Sequence, residues 1–568
     1  MGHEGSRVGL NLRDAIVQVT APGQLFEVTT RTTDEVSRRV FTNAPATLGD
    51  IFNAARGVHE TFVVYEAEEW TFDAVMRSVD EFADALVNHF GVRHGDRVGI
   101  AMRNVPEWIV AFAATVSVGA IAVSLNAWWT SDELDFAIRD ADVSVVVADP
   151  DRCARVIETC QRDNIPVVLA RGDVTASLPA GVVHWIDIVV TGAAMPAVIV
   201  RSDDIATILY TSGTTGQPKG AVSTHDAICQ TLMAFSTGLI VEGLRRGPRD
   251  HVPSDPTCFI LIVPLFHVTG CVPVMLSCFS WHFKLVMMHR WDPEAALRLI
   301  ETHHVTNVVG VPTQSWDLIN YPNLSKFDTS SLVTVGGGGA PAPTALVFRV
   351  DDTFVHARPN LAFGMTETNA YGPQNYGDDY QRHPGSTGQT PTVVMDVQIR
   401  DPEGVVVASD VVGEIWVSGP TLFREYWRQP EATAAALVEG WLRTGDVGFI
   451  DNEGFLFIED RMKDMILRGG DNVYCAEVES VIFEHAAVLE AAVCGLPDDR
   501  LGESVAAVVV LREDAYLSEE QLTAYLSTRL ASYKIPTRIA FTNDRLPTNG
   551  TGKIAKATLA RHYFRTTA

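Results

Sequence analysis

Asp204-Ile-Ala-Thr-Ile-Leu-Tyr-Thr-Ser-Gly-Thr-Thr-Gly-Gln-Pro-Lys-Gly220 begins as an apolar strand and runs into a loop of hydroxyls, glycines and one lysine. Glycines let successive backbone N–H groups converge, the hydroxyls add donors, and Lys219 adds a positive charge, a combination suited to a polyphosphate. The loop is not a Walker A motif. That pattern needs Gly directly before the lysine and a hydroxyl after it, and here Pro218 and Gly220 stand in those places.

Outward from this loop, apolar strand-like runs alternate with helical patterns. Upstream lie RVGIAMRN from Arg97, PEWIVAFAATVSVG from Pro106, AIAVSL from Ala120, a helix entered by a Thr130–Glu133 capping box, and VSVVVA from Val143. Downstream come CFILIVP from Cys258, FKLVMMH from Phe283, a helix opened by Asp292 with Pro293 in its first turn, and NVVGVP from Asn307. Alternation of this kind predicts parallel sheets covered by helices on both faces. Between about 390 and 460 the helices thin out and short strands separated by Gly and Asp turns predict a small β subdomain. After Arg461 a compact unit of helix, two strands, helix and strand restarts the pattern. The expected fold class is therefore α/β: a large domain over 1–460 with doubly wound sheets and the β subdomain at its end, followed by a small α+β domain over 461–568.

The chain has 568 residues with 46% apolar and 20% charged side chains, the composition of a globular protein. Its 44 basic and 70 acidic residues leave a formal charge of −26. Such a field repels nucleic-acid backbones and anionic lipid, so nucleic-acid binding is excluded as a general function. The eight cysteines form no CxxC pair, and the N-terminus has no apolar signal core, which together predict reduced thiols and a cytoplasmic protein. Gly2 and Ser6 match only the loose myristoylation pattern. The uncharged run from Trp108 to Trp129 is long enough to span a bilayer, but Ser117, Gly119, Ser124 and Asn126 interrupt it, so it reads as a buried helix followed by a buried strand. The run from Pro256 to Phe283 is broken by Pro264 and Pro273, and no integral membrane segment is expected. His303-His304 lacks partners at zinc-ligand spacing, and neither HExxH nor GxSxG occurs, so metal- and serine-hydrolase readings fall away.

Further segments stand in a fixed order around the loop: Pro264-Leu-Phe-His-Val-Thr-Gly270, Gly336-Gly-Gly-Gly-Ala-Pro341, Leu361-Ala-Phe-Gly-Met-Thr-Glu-Thr368, Thr444-Gly-Asp446, Arg461-Met-Lys463-Asp-Met-Ile-Leu-Arg-Gly-Gly470 and Pro547-Thr-Asn-Gly-Thr-Gly-Lys553. Singly each is weak: a lone His267 is more often a core residue, TGD usually marks a turn, and Lys553 alone would be an exposed loop lysine. Together with the loop they resemble the signatures of the adenylate-forming superfamily, in its acyl-CoA synthetase branch, from about Thr47 to His562.

The resemblance implies roles. Thr211, Ser212, Gly213, Thr214, Thr215, Gly216 and Lys219 would cradle the phosphates of ATP. Gly338, Gly339, Ala340 and Pro341 would approach the adenine and the substrate carboxylate. Phe363, where the family more often has Tyr, would stack on adenine beside Gly364, with Thr366 on the phosphate and Glu367, helped by Thr215, holding Mg2+. Asp446 and Arg461 would take the ribose, since one carboxylate can accept both hydroxyls. His267 would line the acyl pocket and gate the thiol's approach. Lys463 would be the hinge of a mobile C-terminal domain, Gly469 and Gly470 would let pantetheine pass, and Lys553 would bridge carboxylate and phosphate during adenylation.

The implied reaction is ATP-dependent activation of a carboxylic acid to acyl-AMP and pyrophosphate, then transfer to coenzyme A. Small or apolar residues at Val311, Gly338 to Ala340 and Ala362 suit a fatty or alicyclic acid. Delivery of the acyl group to a carrier protein, and a degenerate nucleotide-binding member without chemistry, are the competing readings. A homodimer is left open.

Overall fold

The computed structural model describes residues 10–33, 35–211, 218–246, 255–340, 342–462, 464–468, 471–498, 500–547, 554 and 556–564. Two eight-stranded sheets dominate it. The first runs, in spatial order, through Glu425–Tyr426, Lys219–Thr224, Ile205–Thr211, Ile121–Ser124, Arg97–Ala101, Val145–Ala148, Val167–Leu169 and Val182–His184. The second runs through Gln374–Tyr376, Arg358–Ala362, Thr334–Gly338, Asn307–Gly310, Cys258–Leu261, Lys284–Met287, Thr61–Tyr65 and Glu68–Thr71.

The expected parallel order holds through the middle of both sheets and at the Val182–His184 edge of the first, and fails towards the other edges. Lys219–Thr224 runs antiparallel to Ile205–Thr211, with Thr211 opposite Lys219. The loop between them is too short to carry a helical crossover, so the chain folds back as a hairpin. Antiparallel neighbours also close the second sheet at Gln374–Tyr376 and Glu68–Thr71.

The uncharged stretch after Val105 is a buried helix, Pro106–Ser117, followed by the buried strand Ile121–Ser124. Trp108 is fully buried and stacks on Phe112 at 5.4 Å. This helix shares one apolar cluster with strands of both sheets, including Val98, Ile100, Leu261 and Leu285. Helices Ser131–Asp140 and Pro150–Arg162 cover the outer face of the first sheet, and Pro293–His303 and Thr344–Thr353 that of the second. The result is a helix–sheet–helix–sheet–helix stack, with both capping devices at Thr130–Glu133 and Asp292 formed as the sequence predicts.

Among the described residues one helix, within His225–Arg246, is long and apolar enough to cross a membrane, and 56% of its most apolar window is buried within the fold. The helix Leu12–Val19 packs on it, and a hairpin of Val28–Thr33 and Val36–Phe41 follows, so the N-terminal segment lies on the body. Backbone N–H of Phe41 donates to Gln230 on the long helix at 2.8 Å.

His225, the first residue of that helix, is fully buried, and its Nδ1 accepts the N–H of Leu48 at 3.1 Å. The imidazole thereby ties the strand returning from the phosphate loop to the helix Leu48–Ala54. Burial pushes the His225 pKa down to about 4. The unfolded chain takes up this proton first, so the stability contributed by neutral His225 is complete above pH 6.5 and is lost as pH falls toward 4. The shift corresponds to about 3 kcal/mol. Urea denaturation of wild type and His225→Gln between pH 7 and 4 should show the stability difference between them changing by about that amount. A constant difference across that range would contradict the assignment.

A third, antiparallel sheet comprises Ser386–Gln389, Phe455–Arg461, Trp441–Ile450, Gly413–Ser418 and Asp396–Arg400, with Leu437–Val438 paired to Trp441–Ile450 beside that path. A fourth comprises Asp471–Val473, Ile466–Arg468, Gly502–Leu511, Val488–Asp498 and Arg538–Thr542, with the helices Cys475–Phe483 and Glu519–Ser527. The junction between these two is tied by Asp460, whose carboxylate accepts the backbone N–H groups of Arg461 and of Cys475 at the start of its helix. Arg545 ties the fourth-sheet unit elsewhere, pairing with Asp317 in the helix Pro312–Ile319 by the second sheet at 3.0 Å.

Candidate active site

Parallel strands deliver their following loops to one edge of a sheet, and that edge is where open α/β sheets bind ligands. In the second sheet Cys258–Leu261, Asn307–Gly310, Thr334–Gly338 and Arg358–Ala362 all run parallel, so His267, Val311, Gly338 to Ala340 and the Phe363–Glu367 turn follow their carboxyl ends. The glycines are required by crowding. A Cβ on Gly337 would lie 1.9 Å from the carbonyl oxygen of Gly310, and one on Gly338 would lie 2.4 Å from that of Ala362. Gly364 is equally pressed, with the Ala370 carbonyl oxygen 2.3 Å from where its Cβ would stand.

Glu367 sits in a short 3-10 turn, Thr366–Thr368, and is 5% exposed. Burial raises its pKa, opposed chiefly by a hydrogen bond from Tyr426, whose hydroxyl donates to Glu367 Oε1 at 2.7 Å, and by the charge of Arg461. The same tyrosine ring lies under Lys219, with Nζ 5.0 Å from the ring centroid. Thr211 Oγ1 donates to the Lys219 carbonyl at 3.4 Å, closing the base of the phosphate loop.

Asp446 and Arg461 face each other across two neighbouring strands of the third sheet, and Arg461 Nε lies 3.1 Å from Asp446 Oδ1. The carboxylate is buried while the guanidinium is partly exposed. Both charges act on Glu367. The structure thus brings together Lys219 from the first sheet, Glu367 from the second, and Asp446 with Arg461 from the third.

Phe363 is 6% exposed and belongs to the same buried apolar cluster as Tyr371 and Met395. Its backbone N–H donates to the Pro373 carbonyl, which holds the turn in place. His267 is half-buried, and its Nδ1 accepts the N–H of Thr269 at 3.3 Å. Next to it Phe266 meets Trp128 edge-on at 4.8 Å. Ser212, Gly213, Thr214, Thr215, Gly216, Pro341, Lys463, Gly469, Gly470 and Lys553 lie outside the described residues.

Among the described residues no cluster of three or more His, Cys, Asp or Glu could hold a metal by protein ligands alone. Mg2+ is commonly held by one or two carboxylates and completed by substrate phosphates and water. Glu367, a single buried carboxylate that shares Tyr426 with Lys219, fits that donor set.

The AMP-binding enzyme family model matches residues 52–427, two thirds of the chain, and the family's C-terminal domain model matches residues 477–553. The chain belongs to the AMP-binding enzyme family. Within it the chain lies in the acyl-CoA ligase branch, as an adenylate-forming ligase of a carboxylic acid. It is 35% identical over 508 residues to a feruloyl-CoA synthase of an Amycolatopsis species, covering 89% of this chain and 96% of that one. A long-chain-fatty-acid–CoA ligase, FadD13 of Mycobacterium tuberculosis, is 34% identical over 495 residues, with coverage of 85% and 91%. Among solved structures, ATP-bound MatB from Rhodopseudomonas palustris superposes with a TM-score of 0.77 at 29% identity, covering 90% of this chain and 97% of that one.

Tyr426, which touches both Glu367 and Lys219, is not among the residues that the sequence motifs single out. Its only sequence signal is an aromatic pair, Tyr426-Trp427, just before a helix opened by Pro430.

Proposed function

We propose that this protein is an AMP-forming acid–thiol ligase that joins a fatty or alicyclic acid to coenzyme A. The observation that carries the reading is the convergence of Lys219, Glu367, Asp446 and Arg461 from three sheets. A carboxylate has no good leaving group, so its oxygen first attacks the α-phosphorus of ATP and pyrophosphate departs. The thiol sulfur of coenzyme A then attacks the acyl carbon and AMP departs.

Each group meets charge that builds during these steps. Lys219 faces the phosphates, and the Asp446–Arg461 pair is set to take the ribose hydroxyls, the carboxylate accepting and the guanidinium donating. Mg2+ on Glu367 would offset negative charge on the triphosphate. Lys553 and Lys463 keep the roles that the family resemblance implies, adenylation lysine and hinge.

The acid class rests on the small and apolar residues Val311, Gly338 to Ala340 and Ala362 after the strand ends, and on relatives named as ligases of fatty and aromatic acids. A reducing, cytoplasmic setting accords with eight cysteines that are all free and buried. Burial also raises their pKa, as at Cys271, which keeps them as unreactive thiols.

The test is pyrophosphate release with ATP and Mg2+ across acetate, benzoate, ferulate, octanoate, palmitate and a steroid-like acid, each with and without coenzyme A. Turnover is expected with octanoate, palmitate or the steroid-like acid, with a thioester product only when coenzyme A is present. Turnover of acetate alone would overturn the acid class, and acyl-AMP that accumulates whether or not coenzyme A is added would overturn the acceptor.

A further inference from the structure

We propose that Tyr426 is a positioning residue for adenylation, holding Glu367 and Lys219 at separate stations so that the carboxylate stays available to the metal and the ammonium to the phosphates. The inference rests on the adenylation reading above and assigns a role to a residue outside its signature motifs.

Tyr426 is carried on a rigid support. It lies in a two-residue edge strand opposite Ala221, and its neighbours Arg424 and Trp427 donate their N–H groups to the carbonyls of Val222 and Gly220, each at 2.7 Å. Its own N–H donates to Thr433 Oγ1 at 2.9 Å, and its carbonyl accepts the N–H of Gln429 at 3.1 Å. Phe423 packs edge-on against the ring at 4.8 Å. The phenol is therefore fixed relative to the strand that leaves the phosphate loop.

From that support it reaches a group on the other sheet. The hydroxyl donates to Glu367 Oε1, and the backbone N–H of Phe423 donates to the Glu367 carbonyl at 2.8 Å, so side chain and backbone of Glu367 are both held from the Tyr426 segment. The ring face meanwhile receives the Lys219 ammonium. Opposite charges in a desolvated site attract strongly, and a lysine and a glutamate free to meet would pair with each other and oppose ligand binding. An aromatic ring with a hydroxyl at its edge suits this place: its face takes a cation and its hydroxyl donates to an anion, while the ring itself carries no charge.

Two substitutions separate the functions of hydroxyl and ring. Tyr426→Phe keeps the ring under Lys219 and removes the donor to Glu367. Tyr426→Leu removes both. ATP binding is measured by titration calorimetry with and without Mg2+, together with the Mg2+ dependence of pyrophosphate release and the thermal midpoint of each variant. For Tyr426→Phe, metal-free ATP affinity should stay within about twofold of wild type, while the gain in affinity on adding Mg2+ shrinks about tenfold and half-saturating Mg2+ rises by a similar factor. For Tyr426→Leu, metal-free ATP affinity should fall by about fivefold in addition.

Wild-type Mg2+ dependence in Tyr426→Phe would overturn the proposal. So would a loss of kcat that tracks the thermal midpoint in both variants with ATP and Mg2+ affinities unchanged, since that is the signature of a structural role alone. Wild-type protein that binds no ATP would instead remove the adenylation reading itself, and the proposal with it.

Discussion

Lys553→Ala is expected to lower acid-dependent pyrophosphate release by about 10²–10³ while leaving thioester formation from supplied acyl-AMP close to wild type. The reason is where charge develops. In the first step negative charge builds on the α-phosphoryl group and the departing pyrophosphate, and a lysine bridging carboxylate and phosphate stabilises the transition state more than the ground state. In the second step the thiol sulfur bonds to the acyl carbon, the acyl C–O bond breaks and AMP departs with no pyrophosphate released, and the family resemblance implies that the C-terminal domain has turned about Lys463 and withdrawn Lys553. Single-turnover assays of each half-reaction give the answer. An equal loss in both would mean that Lys553 acts on the fold or on acid binding and not on the adenylating step.

Glu367→Gln is expected to show a comparable loss in pyrophosphate release, about 10²–10³, with no loss of thermal stability. Glutamine keeps the shape and still accepts from the Tyr426 hydroxyl, but it carries no charge for Mg2+. The native carboxylate is 5% exposed and its pKa is raised by burial, so the folded state holds an ionised group at a cost. Neutralising it should leave the thermal midpoint unchanged or raise it, because ionised groups buried for function are commonly destabilising. Differential scanning calorimetry beside the kinetic assay tests both halves. A variant that loses activity and unfolds earlier by the same measure would show that Glu367 is a structural group.

The sheet order shows why local reading stops where it does. The strands Arg97–Ala101, Ile121–Ser124 and Val145–Ala148 are legible because continuous apolar runs between helical patterns have few other uses. The pairing of Asp446 with Arg461 is not legible, since it depends on the register of two antiparallel strands that Thr444-Gly-Asp446 and the following segment do not announce. The aromatic at Phe363 can be picked out from its motif, yet its burial is decided by neighbours such as Tyr371 and Met395 that lie outside that motif. The long helix His225–Arg246 passes a composition test for a membrane span, and only packing reveals that more than half of its apolar window faces the interior.

By itself the sequence determined the α/β class and the loop of hydroxyls and glycines that ends in Lys219, because both are written in local periodicity or in residue types at short spacing, whereas Glu367 and Asp446 are singled out by the resemblance of their motifs to those of the adenylate-forming superfamily. Only the tertiary structure decided that Tyr426, 59 residues beyond Glu367, donates to it, and that the same ring carries the ammonium of Lys219. The physical reason is that a hydrogen bond and a cation–π contact depend on distances of a few ångströms, and those are set by how an edge strand of one sheet meets a loop of another.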